Sequence, residues 1–238
     1  MYHNIANPPA EAGLKGLYVC PSMFRFQMWY LKIAGFTVVP LHEIAGLTER
    51  DLSGKKIAAL TFDDGYEDFY TNAFPVLGRY GYPATVFVVS GLAGSINAWD
   101  EKALSIRKRL MGWDRIKELA AFKNVFFGSH TITHPFLTKI GKKQAEAEIF
   151  GSKQAIEDRI GSPVETFCYP YGDCNGAVKE LVREAGYKIA VTTNRGEVRP
   201  GDDPLLLRRV LIRRNSHPLN FMLKMHTGHE ERKGLRGK

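Results

Sequence analysis

Short runs of apolar and β-branched residues alternate along this chain with longer segments of helical period, and that alternation restricts the fold more than any other feature. Residues 56–62 read as a buried strand, 67–80 as a helix and 84–89 as a second strand. The pattern continues with a helix over 114–120 capped by Asp114, a strand over 124–129, a helix over 142–159 and a strand over 164–169. It ends with a helix over 177–185 and strands over 188–193 and 205–212. Strands joined through helices pair in parallel. A chain of 238 residues suits one such domain, and no repeat, low-complexity tract or linker interrupts it. The expected organisation is an α/β domain over residues 1–229 followed by a basic tail over 230–238.

Parallel sheets and barrels gather their chemistry at the carboxyl ends of their strands, which is where this chain places its most reactive residues. Asp63 and Asp64 directly follow the strand ending at Phe62. Ionising both in a partly buried site is costly without a cation nearby. His130 and His134 follow the strand over 124–129, and a separation of four predicts that both imidazoles project from one side of a single helical turn. Two imidazoles and one carboxylate form an open three-ligand site for a divalent metal, with zinc the best match to that donor set. The remaining aspartate is then free to act as a base. Asp-Asp-Gly also occurs as a simple turn, but the apolar strand leading into it and the distant histidine pair favour the metal reading. Tyr171 falls at another strand end. Residues 91–112, with Gly91, Gly94, Trp99 and Asp100, form the longest insertion, placed to roof the site.

The remaining composition narrows the setting. Cys20, Cys168 and Cys174 are odd in number and lack ligand-like spacing, so they read as thiols rather than a disulfide framework. The opening residues carry no basic-then-apolar leader pattern, and no window is apolar for long enough to span a bilayer. The expectation is a cytoplasmic chain, with cell-envelope association as the other option. The net charge of +8 concentrates in residues 205–238, with nine Lys or Arg against two acids. Peripheral contact with an anionic membrane or glycan through this basic end competes with a plain solvated tail from Glu230 onward. No nucleic-acid-binding motif accompanies the charge, so nucleic acid is not an expected partner.

Three motifs together carry a family resemblance. Thr61-Phe62-Asp63-Asp64-Gly65, His130-Thr131-Ile132-Thr133-His134-Pro135 and Tyr169-Pro170-Tyr171-Gly172 resemble, in order and spacing, the motifs of the polysaccharide deacetylases, carbohydrate esterase family four. The resemblance implies a distorted (β/α)7 barrel, with Asp64, His130 and His134 as ligands of a divalent metal and Asp63 as general base. It also implies that the backbone N–H of Tyr171 serves an oxyanion and that the substrate is an acetylated polysaccharide or oligosaccharide. Trp99 and Asp100 are then candidate sugar contacts. The sequence departs from the family where an arginine usually orients the base, a position held here by Cys168. Arg209 is the candidate substitute and Arg208 the runner-up.

The general acid has two candidates. His226, in Leu223-Lys224-Met225-His226, fits the letters of a late family motif. The opening Met1-Tyr2-His3-Asn4-Ile5, followed by a helix-like 24–36, is similar instead to the branch that deacetylates poly-β-1,6-N-acetylglucosamine. There the barrel is circularly permuted and the acid stands on an N-terminal Tyr-His strand, which favours His3. His42, His217 and His229 read as surface or packing residues. The resulting expectation is a metal-dependent N-deacetylase of N-acetylglucosamine units. The alternatives are an O-acetyl esterase, a lipid-linked amino-sugar deformylase, or a carbohydrate-binding relative without catalysis.

Overall fold

The computed structural model describes residues 1–44, 46–99, 106–227 and 230. A small parallel pair, β1 (Phe36–Val38) with β2 (Lys56–Ala58), stands beside the main sheet. That sheet is six-stranded and entirely parallel, with β3 (Thr61–Phe62), β4 (Ala84–Val88), β5 (Val125–Ser129), β6 (Thr166–Cys168), β7 (Ile189–Arg195) and β8 (Leu207–Arg209) in sequential order. It curls into the expected (β/α) barrel.

The N-terminal segment closes the gap between the first and last strands. Tyr2 bridges Phe62 in parallel, its N–H donating to Thr61 O at 2.9 Å, while Asp63 N donates to Tyr2 O at 3.0 Å. On the other side Ile212 N donates to Met1 O at 3.0 Å, and Met1 N donates to Val210 O at 2.9 Å. Residues 1–4 thus occupy a seventh strand position, the permuted arrangement, and His3 is carried into the barrel mouth.

Strand alternation divides the core into two parts. Val86, Val88, Phe167 and Ala190 point outward into the cluster shared with the helices. Phe87, Cys168, Ile189, Val191 and Leu207 form a smaller cluster inside the barrel. The helix Pro21–Ile33 buries Phe24, Gln27, Met28 and Leu31, one stripe at helical spacing. The helix Lys142–Ile160 ends at Gly161, whose φ of 69° provides the left-handed cap.

Several local expectations change. The strand read over 56–62 splits, because β2 pairs with β1 whereas β3 pairs with β4. The helix read over 67–80 opens as a π-helix, Phe69–Ala73, before the α-helix Phe74–Tyr80. Pro75 lacks an N–H to donate back one turn, which frees the preceding carbonyls for wider pairing. Gly112, not Asp114, is the N-cap of Trp113–Ala120; Asp114 lies in its first turn, where its charge favours the helix dipole. The last strand shortens because Val210 and Ile212 turn their backbones to Met1. Glu230, read as the start of a solvated tail, is buried and pairs with Lys224 at 2.7 Å. All three cysteines are free thiols. Among the described residues no helix is long and apolar enough to cross a membrane.

Candidate metal centre and active site

Asp64 Oδ1 lies 3.4 Å from His130 Nε2 and 3.6 Å from His134 Nε2, and all three side chains are buried. Donors on a tetrahedral zinc at about 2.1 Å stand about 3.4 Å apart, so this triangle fits such a cation. His130 Nδ1 stands 2.7 Å from Cys168 O. A carbonyl can only accept, so Nδ1 carries a proton and Nε2 is the ring atom turned toward Asp64. Burial raises the Asp64 carboxyl, but the surrounding imidazoles of His130, His3 and His134 outweigh it and hold the group below its ordinary value. Burial and His130 push His134 down to about 3, which keeps it a neutral donor. A second cluster, Asp63, His130 and Cys168, is also compact. It is a poorer cation site, because Arg209 already donates to both Asp63 oxygens and to Cys168 Sγ.

The backbone pays for this convergence. Among the described residues the non-glycine positions with positive φ are Asp64 (73°), Thr131 (68°), His134 (65°) and Tyr171 (59°), and all lie at the site. Such strain persists only where the surroundings over-determine it. The histidine segment is therefore a tight loop after β5, not the helical turn its spacing predicts. Glu148, from the helix Lys142–Ile160, accepts from Ile132 N at 2.7 Å, Thr133 N at 2.9 Å and Thr133 Oγ1 at 2.5 Å. Thr131 Oγ1 accepts from His134 N at 3.0 Å. Gly91 backs onto Ile132 so closely that an added Cβ would meet its carbonyl oxygen at 2.8 Å.

Asp63, also buried, is held by Arg209. Nη1 donates to Oδ1 at 2.6 Å and Nη2 to Oδ2 at 2.8 Å. The guanidinium is fixed by Nε donating to Thr192 O at 2.9 Å and by Nη1 donating to Thr61 Oγ1 at 3.3 Å. Burial alone raises the Asp63 carboxyl, yet Arg209 and then His3 outweigh it and leave the group far below the usual carboxylate range. Burial lowers the guanidinium value and Asp63 more than restores it. Arg208 turns away and pairs with Asp202 at 3.1 Å. Cys168 lies against Arg209, with Sγ 3.3 Å from Nη2, so a guanidinium from β8 reaches Asp63 past the small side chain on β6.

His3 Nε2 lies 3.9 Å from Asp63 Oδ2. Burial outweighs the two aspartates and lowers its value, so the ring is neutral at neutral pH. His226 is elsewhere, exposed at the end of the helix Pro218–His226 and 2.9 Å from the Tyr30 hydroxyl. His42 packs edge-on against Phe126, and His217 is the N-cap of that last helix. Tyr171 meets His134 edge-on at 4.6 Å and stacks on Phe136 at 3.8 Å. Its left-handed turn continues into Gly172, where a Cβ would strike Thr193 Oγ1 at 2.1 Å. Trp99 stacks on His134 with ring centres 4.4 Å apart. Asp100 and His229 lie outside the described residues.

Sequence reasoning passed over Tyr66, Glu148 and Phe136. Tyr66 is buried two residues after Asp64; burial, then that carboxylate, raises its hydroxyl well above the ordinary phenol value. Its adjacency to Asp-Asp-Gly was the available signal. Phe136 stands directly after the His-Pro pair, but nothing local marks Glu148, which is one acid among several on a charged helix.

A parallel barrel with an Asp-His-His triangle and an arginine-held aspartate at its mouth defines a family, and residues 51–190 match it: the chain belongs to the polysaccharide deacetylase family. His3 and Arg209 both fall outside that matched span. The chain is similar to the poly-beta-1,6-N-acetyl-D-glucosamine N-deacetylase of Staphylococcus aureus strain MRSA252, with 26% identity over 92% of this chain and 75% of that protein. Two solved structures share the fold. The Streptococcus pyogenes deacetylase PplD in complex with acetate superposes with a TM-score of 0.79 and 28% identity over 94% of this chain and 96% of PplD. IcaB from Ammonifex degensii does so at 0.79 and 26%, covering 95% of each chain.

Proposed function

We propose that this protein is a metal-dependent hydrolase that removes N-acetyl groups from N-acetylglucosamine units of a polysaccharide or glycan precursor. The observation that carries the reading is the Arg209-held Asp63 carboxylate set beside the Asp64, His130 and His134 donor triangle. Those three residues would hold the cation, and two imidazoles with one carboxylate suit zinc. A divalent cation there supplies Lewis acidity toward the acetamide carbonyl and toward the attacking water. Asp63 accepts the proton of that water, kept ionised and aimed by Arg209. The backbone N–H of Tyr171, in its left-handed turn, donates to the developing oxyanion. His3 delivers a proton to the departing amine from the other side of Asp63. Because the resting ring is neutral, the proton it delivers is the one that Asp63 has taken from the water, passed between the two side chains. Trp99 and the Phe136–Tyr171 stack offer aromatic surface beside His134 that suits the apolar face of a pyranose.

The sugar assignment draws on the Staphylococcus aureus relative, named for poly-β-1,6-N-acetylglucosamine. An arginine missing from β6 is what a catalytically silent relative would show; Arg209 bonded to Asp63 in its place supports the enzymatic reading. The test is acetate release from N-acetylated glucosamine oligomers with and without a chelator, run beside Asp63→Asn. Release that stops with the chelator and falls at least about 100-fold in the variant supports the reading. Full turnover by Asp63→Asn rejects the base assignment. Release from acetylated xylan alone makes the protein an esterase.

A further inference from the structure

The insertion does more than lie over the site. Its arms pair with each other: Ile96 bridges Arg109 in antiparallel fashion, Asn97 N donates to Lys108 O at 3.0 Å, and Leu110 N donates to Ser95 O at 2.9 Å. The returning arm also pairs with the segment after Asp64. Met111 N donates to Gly65 O at 2.9 Å, Tyr66 bridges Leu110, and Glu67 N donates to Arg109 O at 3.1 Å.

Lys108 anchors this arrangement. Its ammonium pairs with the buried Asp68 at 2.5 Å, whose other oxygen accepts from Ile5 N at 3.0 Å. It also lies over the rings of Tyr18 and Tyr66, at 5.0 and 5.6 Å. Tyr66 in turn stands two residues after Asp64, in the turn whose Gly65 carbonyl the returning arm holds. The other arm delivers Trp99 onto His134 at an interplanar angle of 24°. His130, by contrast, is oriented independently of the insertion by the Cys168 carbonyl.

We propose that the paired arms, residues 95–99 and 106–111, clamp two of the three metal-binding side chains, with Lys108 acting on Asp64 through the turn at Gly65 and Tyr66 and Trp99 acting on His134. Lys108, Tyr66 and Trp99 are positioning residues in this scheme, which rests on the reading of Asp64 and His134 as metal ligands. A ring held flat against an imidazole, and a paired backbone directly after a carboxylate, both restrict ligand movement. Losing such outer contacts weakens metal binding by about 10–100-fold in metal sites generally.

The experiment measures zinc affinity of the full chain by competition with a chromophoric chelator, without substrate. The variants are Lys108→Met, Trp99→Ala and Trp99→Phe, with Asp64→Ala as reference and circular dichroism to confirm folding. Lys108→Met and Trp99→Ala are expected to weaken binding by about tenfold or more, with Trp99→Phe restoring most of it. Unchanged zinc affinity in both, while Asp64→Ala abolishes binding, overturns the clamp and leaves the metal reading intact. Unchanged affinity in Asp64→Ala removes the metal reading and the clamp with it. Should Lys108→Met fail to fold, the Trp99 pair decides, because that half-buried ring can be removed without touching the Lys108–Asp68 ion pair. A Trp99→Ala that changes only KM makes the indole a sugar platform and rejects its positioning role.

Discussion

Arg209 and Asp63, 146 residues apart, meet as a bidentate ion pair inside the barrel, at 2.6 and 2.8 Å. The pair ties the last strand of the sheet to the first. It also fixes the direction of the carboxylate that stands beside the Asp64, His130 and His134 triangle.

Arg209→Met leaves the Asp63 charge buried without its partner, and breaking such a pair costs about 3–5 kcal/mol. Chemical denaturation should show that loss, whereas Arg208→Met, at a partly exposed pair, should change stability by less than about 1 kcal/mol. Equal effects would remove the special place given to Arg209.

The same substitution has a pH signature. In the native protein Asp63 lies below its unfolded value, so its ionised form stabilises the fold above the ordinary carboxylate range. That contribution is lost as pH falls toward the depressed value. Without Arg209 the burial that raises the carboxyl remains, so the acid limb of kcat/KM should move to higher pH. A limb that stays in place in Arg209→Met would show that another group sets it.

His3→Gln should lower kcat by about 100-fold or more if the ring supplies the leaving-group proton, while His226→Gln, at the Tyr30 contact, should leave acetate release unchanged. The reverse result would return the acid role to the late Leu-x-x-His motif.

Glu148→Gln replaces a charged acceptor of three donors beneath the histidine loop. Hydrogen bonds to charged groups contribute about 1.5–3 kcal/mol, so amide exchange at Ile132 and Thr133 should quicken and zinc affinity should fall. Unaltered exchange at those two amides would show that the loop keeps its shape without the carboxylate.

Gly172→Ala is strained on two counts, a φ of 74° and the Thr193 hydroxyl at 2.1 Å from the added carbon. The Tyr171 turn should shift, lowering kcat more than substrate binding. An unchanged kcat would argue against a role for the Tyr171 N–H.

The three motifs were legible because each is a short run standing at the end of a strand, where local chemistry shows through. The placement of His3 beside Asp63 was legible from the opening residues and their likeness to a permuted branch. The helical reading of His130–His134 failed because the spacing permits a helix, whereas Glu148, Thr131 and the approach of Gly91 impose a strained loop. The split of residues 56–62 and the shortened last strand had the same origin, since strand limits depend on which backbone lies alongside.

Local pattern alone determined a parallel α/β chain with acids and imidazoles at its strand ends, because side-chain periodicity and motif spacing act over a few residues. Only the tertiary structure decided that Arg209 rather than Arg208 faces Asp63 and that Trp99 lies on His134. Those outcomes depend on strand register and on residues far apart in sequence sharing one buried volume, where desolvation makes every pairing specific.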